Sequence, residues 1–99
     1  PWVVACGHKP MYSSGRHVLG PSASKMLRNA LEDVFAQFGV DLAVWGHVHN
    51  YERTCPMTRK FNCSGGGAPG TTHVVVGTGG HGLHFFPRTH RVGQASRGP

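Results

Sequence analysis

The sequence predicts an α/β chain: a βαβ unit followed by a further strand. Three observations carry this. Two short apolar runs, Trp2-Val3-Val4-Ala5-Cys6 and Val40 to Trp45, each lead into Gly-His. The stretch between them has apolar residues at helical spacing. Further on, Val74-Val75-Val76 is a continuous apolar run of the buried-strand type.

Taken in order, Trp2 to Cys6 is β-branched and apolar, and reads as a strand. Gly7 to Pro21 is rich in glycine, proline and serine, and reads as a loop. Ser22 or Ser24 can cap a helix that runs to about Phe38. Leu27, Ala30, Leu31, Val34, Phe35 and Phe38 are three or four apart and make one face. Gly39 stops the helix as a left-handed cap. Val40 to Trp45, with Asp41 at its opening, is the second strand. A strand-helix-strand unit has parallel strands and a right-handed crossover. That topology alone puts His8 and His47 on one edge of the sheet, where ligands bind in open α/β sheets.

Tyr51 to Gly70 reads as an irregular excursion, with Ser64 to Gly70 as its flexible tip. Thr71 to Val76 is the third strand, on which His73 is expected to face solvent. Gly77-Thr78-Gly79-Gly80 comes next as a tight turn. A phosphate cradle is the rival reading there, but no helix pattern lies beyond it. Residues 81–99 form a basic, glycine-rich tail, expected to be poorly ordered or extended. His81 and His84 are turn residues or, alternatively, part of a second zinc site. The helix covers one face of the sheet, so the other face needs a second layer.

Ten basic residues against four acidic ones give a net charge of +6. This charge suits an anionic phosphate substrate, or it balances an acidic remainder of the molecule. No helix or aromatic-basic stripe suits nucleic acid, and no apolar run is long enough to cross a membrane. The chain opens directly on an apolar strand, which reads as a cut through a larger domain. A disulfide between Cys55 and Cys63, across a polar loop, is geometrically reasonable. Asn62-Cys63-Ser64 is a glycosylation sequon, consistent with secretion. Cys6 is expected to be a buried thiol.

The chemistry concentrates in Gly46-His47-Val48-His49-Asn50-Tyr51-Glu52-Arg53 and Gly7-His8-Lys9-Pro10-Met11-Tyr12. In extended backbone, His47 and His49 point to one side, ~6.5–7 Å apart. They could then reach one metal ion, or two ions ~3.5–4 Å apart. Gly46 is expected to supply the sharp departure from the strand.

These two motifs, separated by one helix, resemble the carboxyl-terminal half of the purple acid phosphatases, binuclear members of the calcineurin-like metallophosphoesterases. The likeness runs from Trp2 to about Gly80. It implies that residues 1–99 are a carboxyl-terminal fragment of the catalytic domain, half of a four-layer αββα sandwich. It implies an acid phosphatase that hydrolyses phosphate monoesters with a metal-bound hydroxide. The centre would be Fe(III) with Zn, Fe or Mn, and its aspartates, asparagine and tyrosine would lie in a missing amino-terminal half. His8 and His47 would ligate the divalent ion and His49 the ferric ion. Asn50, Tyr51, Glu52 and Arg53 would surround and scaffold the ligands, Glu52 orienting an imidazole through its other nitrogen. His17 could hydrogen-bond the phosphate or protonate the leaving alkoxide. Plant enzymes of this family have two adjacent histidines at this point, whereas this chain has His17-Val18. The resemblance also implies a secreted or vacuolar protein, inactive as the isolated fragment, and allows a homodimer. The rival readings are a phosphodiesterase or nucleotide pyrophosphatase on the same scaffold, or a non-catalytic fragment that binds zinc or a partner.

Overall fold

The computed structural model describes residues 1–14 and 20–84. Strand β1 spans Val4–Gly7, helix α1 Gly20–Phe38, β2 Leu42–Trp45, β3 Tyr51–Met57 and β4 Thr71–Val76. They form one sheet in the order β1-β2-β4-β3. β2 lies parallel to both β1 and β4, and β3 closes the sheet as an antiparallel edge. Three parallel strands therefore deliver their carboxyl ends to the same rim.

α1 starts earlier than the serines suggested. Pro21 occupies the first turn, where its missing N–H costs nothing. Ser24 instead donates from Oγ to the Pro10 carbonyl at 3.1 Å, tying the helix to the loop after β1. The helix stops as expected. Gly39 has φ 61°, and Val40 N–H donates back to the Phe35 carbonyl at 3.0 Å, the long bond of a Schellman cap. Only part of the apolar face is covered. Leu27, Leu31 and Phe35 pack on the core, while Val34 and Phe38 stay exposed.

Register sorts the sheet into two faces. Ala5, Gly7, Ala43, Trp45, His73 and Val75 share the face under α1. Gly7 is required there: a Cβ on it would sit 2.4 Å from the Trp45 ring. Val4, Cys6, Leu42, Val44, Val74 and Val76 share the opposite face, and nothing among the described residues covers it. Cys6 is accordingly exposed rather than a buried thiol, as is Val4.

Two sequence expectations are corrected. The stretch after Asn50 is not irregular: Tyr51–Met57 is a strand paired with β4, with a register shift between Arg53 and Pro56. Its buried positions include the polar residues Glu52 and Thr54, which hides the alternation. Pro56 is tolerated because β3 is an edge strand. His73 does not face solvent and is only 3% exposed. Its ring lies parallel to those of Trp45 and Phe35, and meets Tyr12 edge to face. Trp45 Nε1–H donates to His73 Nδ1 at 3.1 Å, which fixes the neutral imidazole. The segment 57–63 straps the helix side. Cys55 and Cys63 form the expected disulfide, Phe61 packs on Tyr12, and Arg59 pairs with Asp33 at 2.8 Å. Tyr12 O–H donates to Glu32, and Arg28 lies over the Tyr12 and Phe61 rings. Residues 81–84 carry no regular structure, and the rest of the proposed tail lies outside the described residues.

Burial pushes His73 down to about 4 from 6.5. Between those pH values the unfolded chain takes up a proton that the folded chain refuses, so stability falls as pH drops. The whole contribution is present above pH ~6.5 and gone by pH ~4, and amounts to about 3 kcal/mol. Urea denaturation of the full-length protein should therefore show a steeper acid loss than its His73→Phe variant, whose overall stability is lower because Trp45 N–H loses its acceptor. Equal slopes would mean that His73 is protonated in the fold.

Candidate metal centre

The carboxyl ends of β1, β2 and β4 converge on five imidazoles. His8 follows β1, His47 and His49 follow β2, and His81 and His84 follow β4. Two backbone bonds hold the first pair together: Gly46 N–H donates to the carbonyls of His8 (3.0 Å) and Gly7 (3.3 Å). The His8 and His47 rings stand nearly perpendicular, with centroids 4.8 Å apart. His8 Nε2 and His47 Nδ1 face each other at 2.9 Å. With metal–nitrogen bonds of ~2.05 Å, that separation gives an N–metal–N angle of about 90°. The separation is compatible with two ligands on one ion, and without an ion the two nitrogens share a hydrogen bond.

The sharp turn out of β2 falls on His47 rather than on Gly46. His47 has φ 63°, the left-handed region that is uncommon for residues other than glycine. Val48 and Asn50 N–H then donate to the carbonyls two residues back, each at 2.8 Å, winding the loop tightly. Val48 is the anchor, fully buried in the core. Gly77 is its counterpart after β4: a Cβ there would lie 2.2 Å from the Val48 carbonyl oxygen. The predicted turn at Gly77 is thus a point of backbone contact with the histidine loop.

His49 turns toward the segment after β4. Its Nδ1 lies 3.0 Å from the Gly82 carbonyl, its N–H donates to His84 Nδ1 at 2.9 Å, and its carbonyl accepts His84 N–H at 2.8 Å. Its ring stacks on His84 at 4.2 Å and touches His81 at 4.6 Å. Burial, and then the like charge of His49, His81 and His47, holds the half-buried His84 below the ordinary histidine range. In the sequence, His81 and His84 read as turn residues or as a separate zinc site. The missed signal was topological: β4 is parallel to β2, so the residues after β4 reach the same rim.

Glu52 is buried, and its carboxylate accepts from Ser14 N–H at 2.6 Å and from Ser13 Oγ at 3.2 Å. It thereby fastens the loop that begins at His8. Tyr51 and Arg53 are exposed on the other face of β3. Both amide atoms of Asn50 are buried and have no hydrogen-bond partner among the described residues. Asn62 is exposed, and His17 lies outside the described residues. Among the described residues no three of His, Cys, Asp and Glu are grouped to hold a metal ion. The donors fit one half of a ligand set: a chelating pair and a separate, oriented imidazole.

Comparison with known proteins identifies the family of the chain. Residues 1–51 match the calcineurin-like phosphoesterase family. The chain is 37% identical over 95 residues to "Probable inactive purple acid phosphatase 1" of Arabidopsis thaliana, covering 87% of the chain and 16% of that protein. It is 38% identical over 82 residues to "Acid phosphatase A" of Cryphonectria parasitica, covering 83% and 16%. To human "Acid phosphatase type 7" it is 34% identical over 94 residues, covering 81% and 22%. Among solved structures, a purple acid phosphatase from yellow lupin (Lupinus luteus) seeds superposes with a TM-score of 0.77 at 35% identity. That match covers 91% of this chain and 17% of the lupin chain. The chain thus spans only 16–22% of the length of these relatives.

The close approach at Gly77 gives a direct test. Gly77→Ala in the full-length protein must push the Val48 carbonyl away and should cost about 2 kcal/mol or more. Gly79→Ala, which meets nothing within 4 Å, should stay within about 0.5 kcal/mol of the parent. Thermal unfolding measures both; equal melting temperatures would remove the proposed contact.

Proposed function

Since the chain belongs to the calcineurin-like phosphoesterase family and its relatives are purple acid phosphatases, we propose that it is the part of a binuclear acid phosphatase that supplies His8, His47 and His49. The carrying observation is the 2.9 Å approach of His8 Nε2 and His47 Nδ1 at adjacent strand ends. These two would hold the divalent ion and His49 the ferric one. Imidazole suits iron, zinc and manganese alike, so the divalent partner is any of Zn, Fe or Mn. When bound, the ions supply an activated water and clamp the phosphate oxygens.

The chain's own residues do the positioning. Gly46 ties the two strand ends together, and Val48 anchors the loop that carries both histidines. Glu52 holds Ser13 and Ser14, and so fixes the path of the chain that leaves His8. His17 is proposed to hydrogen-bond the phosphate ester or to donate the proton that the leaving alkoxide takes. The net positive charge of this chain would favour an anionic ester. The uncovered sheet face, with Val4, Val44, Val74 and Val76, is where the amino-terminal half of the domain would pack. The unpartnered amide of Asn50 would take its hydrogen bonds from the same half, since leaving such a group unpaired costs about 1–3 kcal/mol. The Cys55–Cys63 disulfide and the exposed Asn62 sequon support an oxidising, secretory or vacuolar destination.

A second reading, metal binding without hydrolysis, is favoured by one observation: several relatives from Arabidopsis thaliana are named "probable inactive". Turnover separates the two. The full-length protein should contain two metal ions and hydrolyse p-nitrophenyl phosphate, and lose that activity on chelation. His8→Ala, His47→Ala and His49→Ala should each cut kcat/KM by roughly 100-fold or more, with one ion lost. Two bound ions without hydrolysis would establish the second reading. Full activity in metal-free protein would overturn both.

A further inference from the structure

His49 is gripped by a segment that the binuclear reading does not use. Four contacts run between it and residues 82–84, and they determine where its protons lie. The Gly82 carbonyl can only accept, so the 3.0 Å contact requires His49 Nδ1 to carry hydrogen. His49 Nε2 is then left with its lone pair, the form that binds a metal. His84 is set the opposite way. Its Nδ1 accepts the His49 backbone N–H at 2.9 Å, so the neutral ring carries its hydrogen on Nε2. The His84 N–H returns a bond to the His49 carbonyl at 2.8 Å, and the two rings lie nearly parallel, 8° apart at 4.2 Å. His49 is therefore held at its amide, its carbonyl, its ring nitrogen and its ring face. The rings of His8 and His47 instead meet each other.

We propose that His84, together with the Gly82 carbonyl, is the positioning device of the second metal ligand: it fixes the tautomer and ring orientation of His49 so that Nε2 points its lone pair at the ion. The role rests on the proposed metal centre, yet it is specific to one of the two ions. A hydrogen bond to the distal nitrogen of a ligating histidine both sets its tautomer and raises its basicity. A ring already held against His84 loses less freedom on binding than a mobile one. Because His84 follows β4 while His49 follows β2, the device also couples the ligand to a second strand of the sheet.

The test uses the full-length protein. In its metal-free form with nitrogen-15 histidine, NMR should find His49 as the Nδ1–H tautomer; in His84→Ala, where segment 82–84 loses its ring and Nδ1 contacts with His49 and the Gly82 carbonyl is released, it should find a mixture. Affinity for one ion, measured by competition with a chelator, should fall roughly 10–100-fold in His84→Ala, the other ion being unaffected. His84→Asn, which places an amide oxygen near the position of Nδ1, should recover most of that loss and guards against a merely misfolded alanine variant. Two ions held with parental affinity by His84→Ala, with the His49 tautomer unchanged, would overturn the clamp and leave the metal centre standing. A parental protein that takes up no ions would remove the centre, and the clamp's purpose with it.

Discussion

Everything at the functional rim depends on one constraint: β2 is hydrogen-bonded in parallel to a neighbour on each side. A parallel pair cannot be joined by a tight turn, so α1 must carry the chain back from the end of β1 to the start of β2. The long return through β3 does the same for β4. The consequence is that Gly7, Trp45 and Val76 all end near one edge, and the histidines beyond them meet without being near in sequence. Were β4 antiparallel to β2, Gly77 would lie at the far edge, and neither Val48 nor His49 would have its present support.

The parts of the fold carried by apolar periodicity were legible. Both Gly-His strands, the helix and its glycine stop could be read because each uses a strong local signal. β3 could not, since Glu52 and Thr54 occupy inward positions where a strand pattern expects apolar residues. They are buried for tertiary reasons: Glu52 to accept from Ser13 and Ser14, Thr54 to accept from His73 N–H. His73 misled for a related reason. A histidine at a strand start usually marks solvent, but here a tryptophan N–H from the neighbouring strand satisfies it. Such pairing depends on register, which the sequence does not display.

The ligand candidates were legible as residue types, and their arrangement was not. Period-two reasoning put His47 and His49 side by side, whereas the left-handed turn at His47 sends the two to different neighbours. His47 meets His8, and His49 meets Gly82 and His84. On the proposed binuclear reading, each imidazole set has its own partner strand and would serve its own ion. The absence of any three-ligand group among the described residues stems from the same division, and from the small acidic complement of the chain. On the proposed binuclear reading, the charge that two cations require would come from the rest of the domain.

The left-handed backbone at His47 also has an evolutionary reading. A histidine at φ 63° is held against its own preference, at a cost of order 1–3 kcal/mol. Glycine would occupy the position freely, and asparagine or aspartate with little complaint. On the proposed reading, in which His47 ligates a cation, the strain is tolerated while coordination is selected. In a lineage released from catalysis, replacement by one of those three would relax the loop and relieve the fold at once. On that reading, the residue at this single position is a gauge of whether a descendant still binds cations, and it can be read before any assay is run.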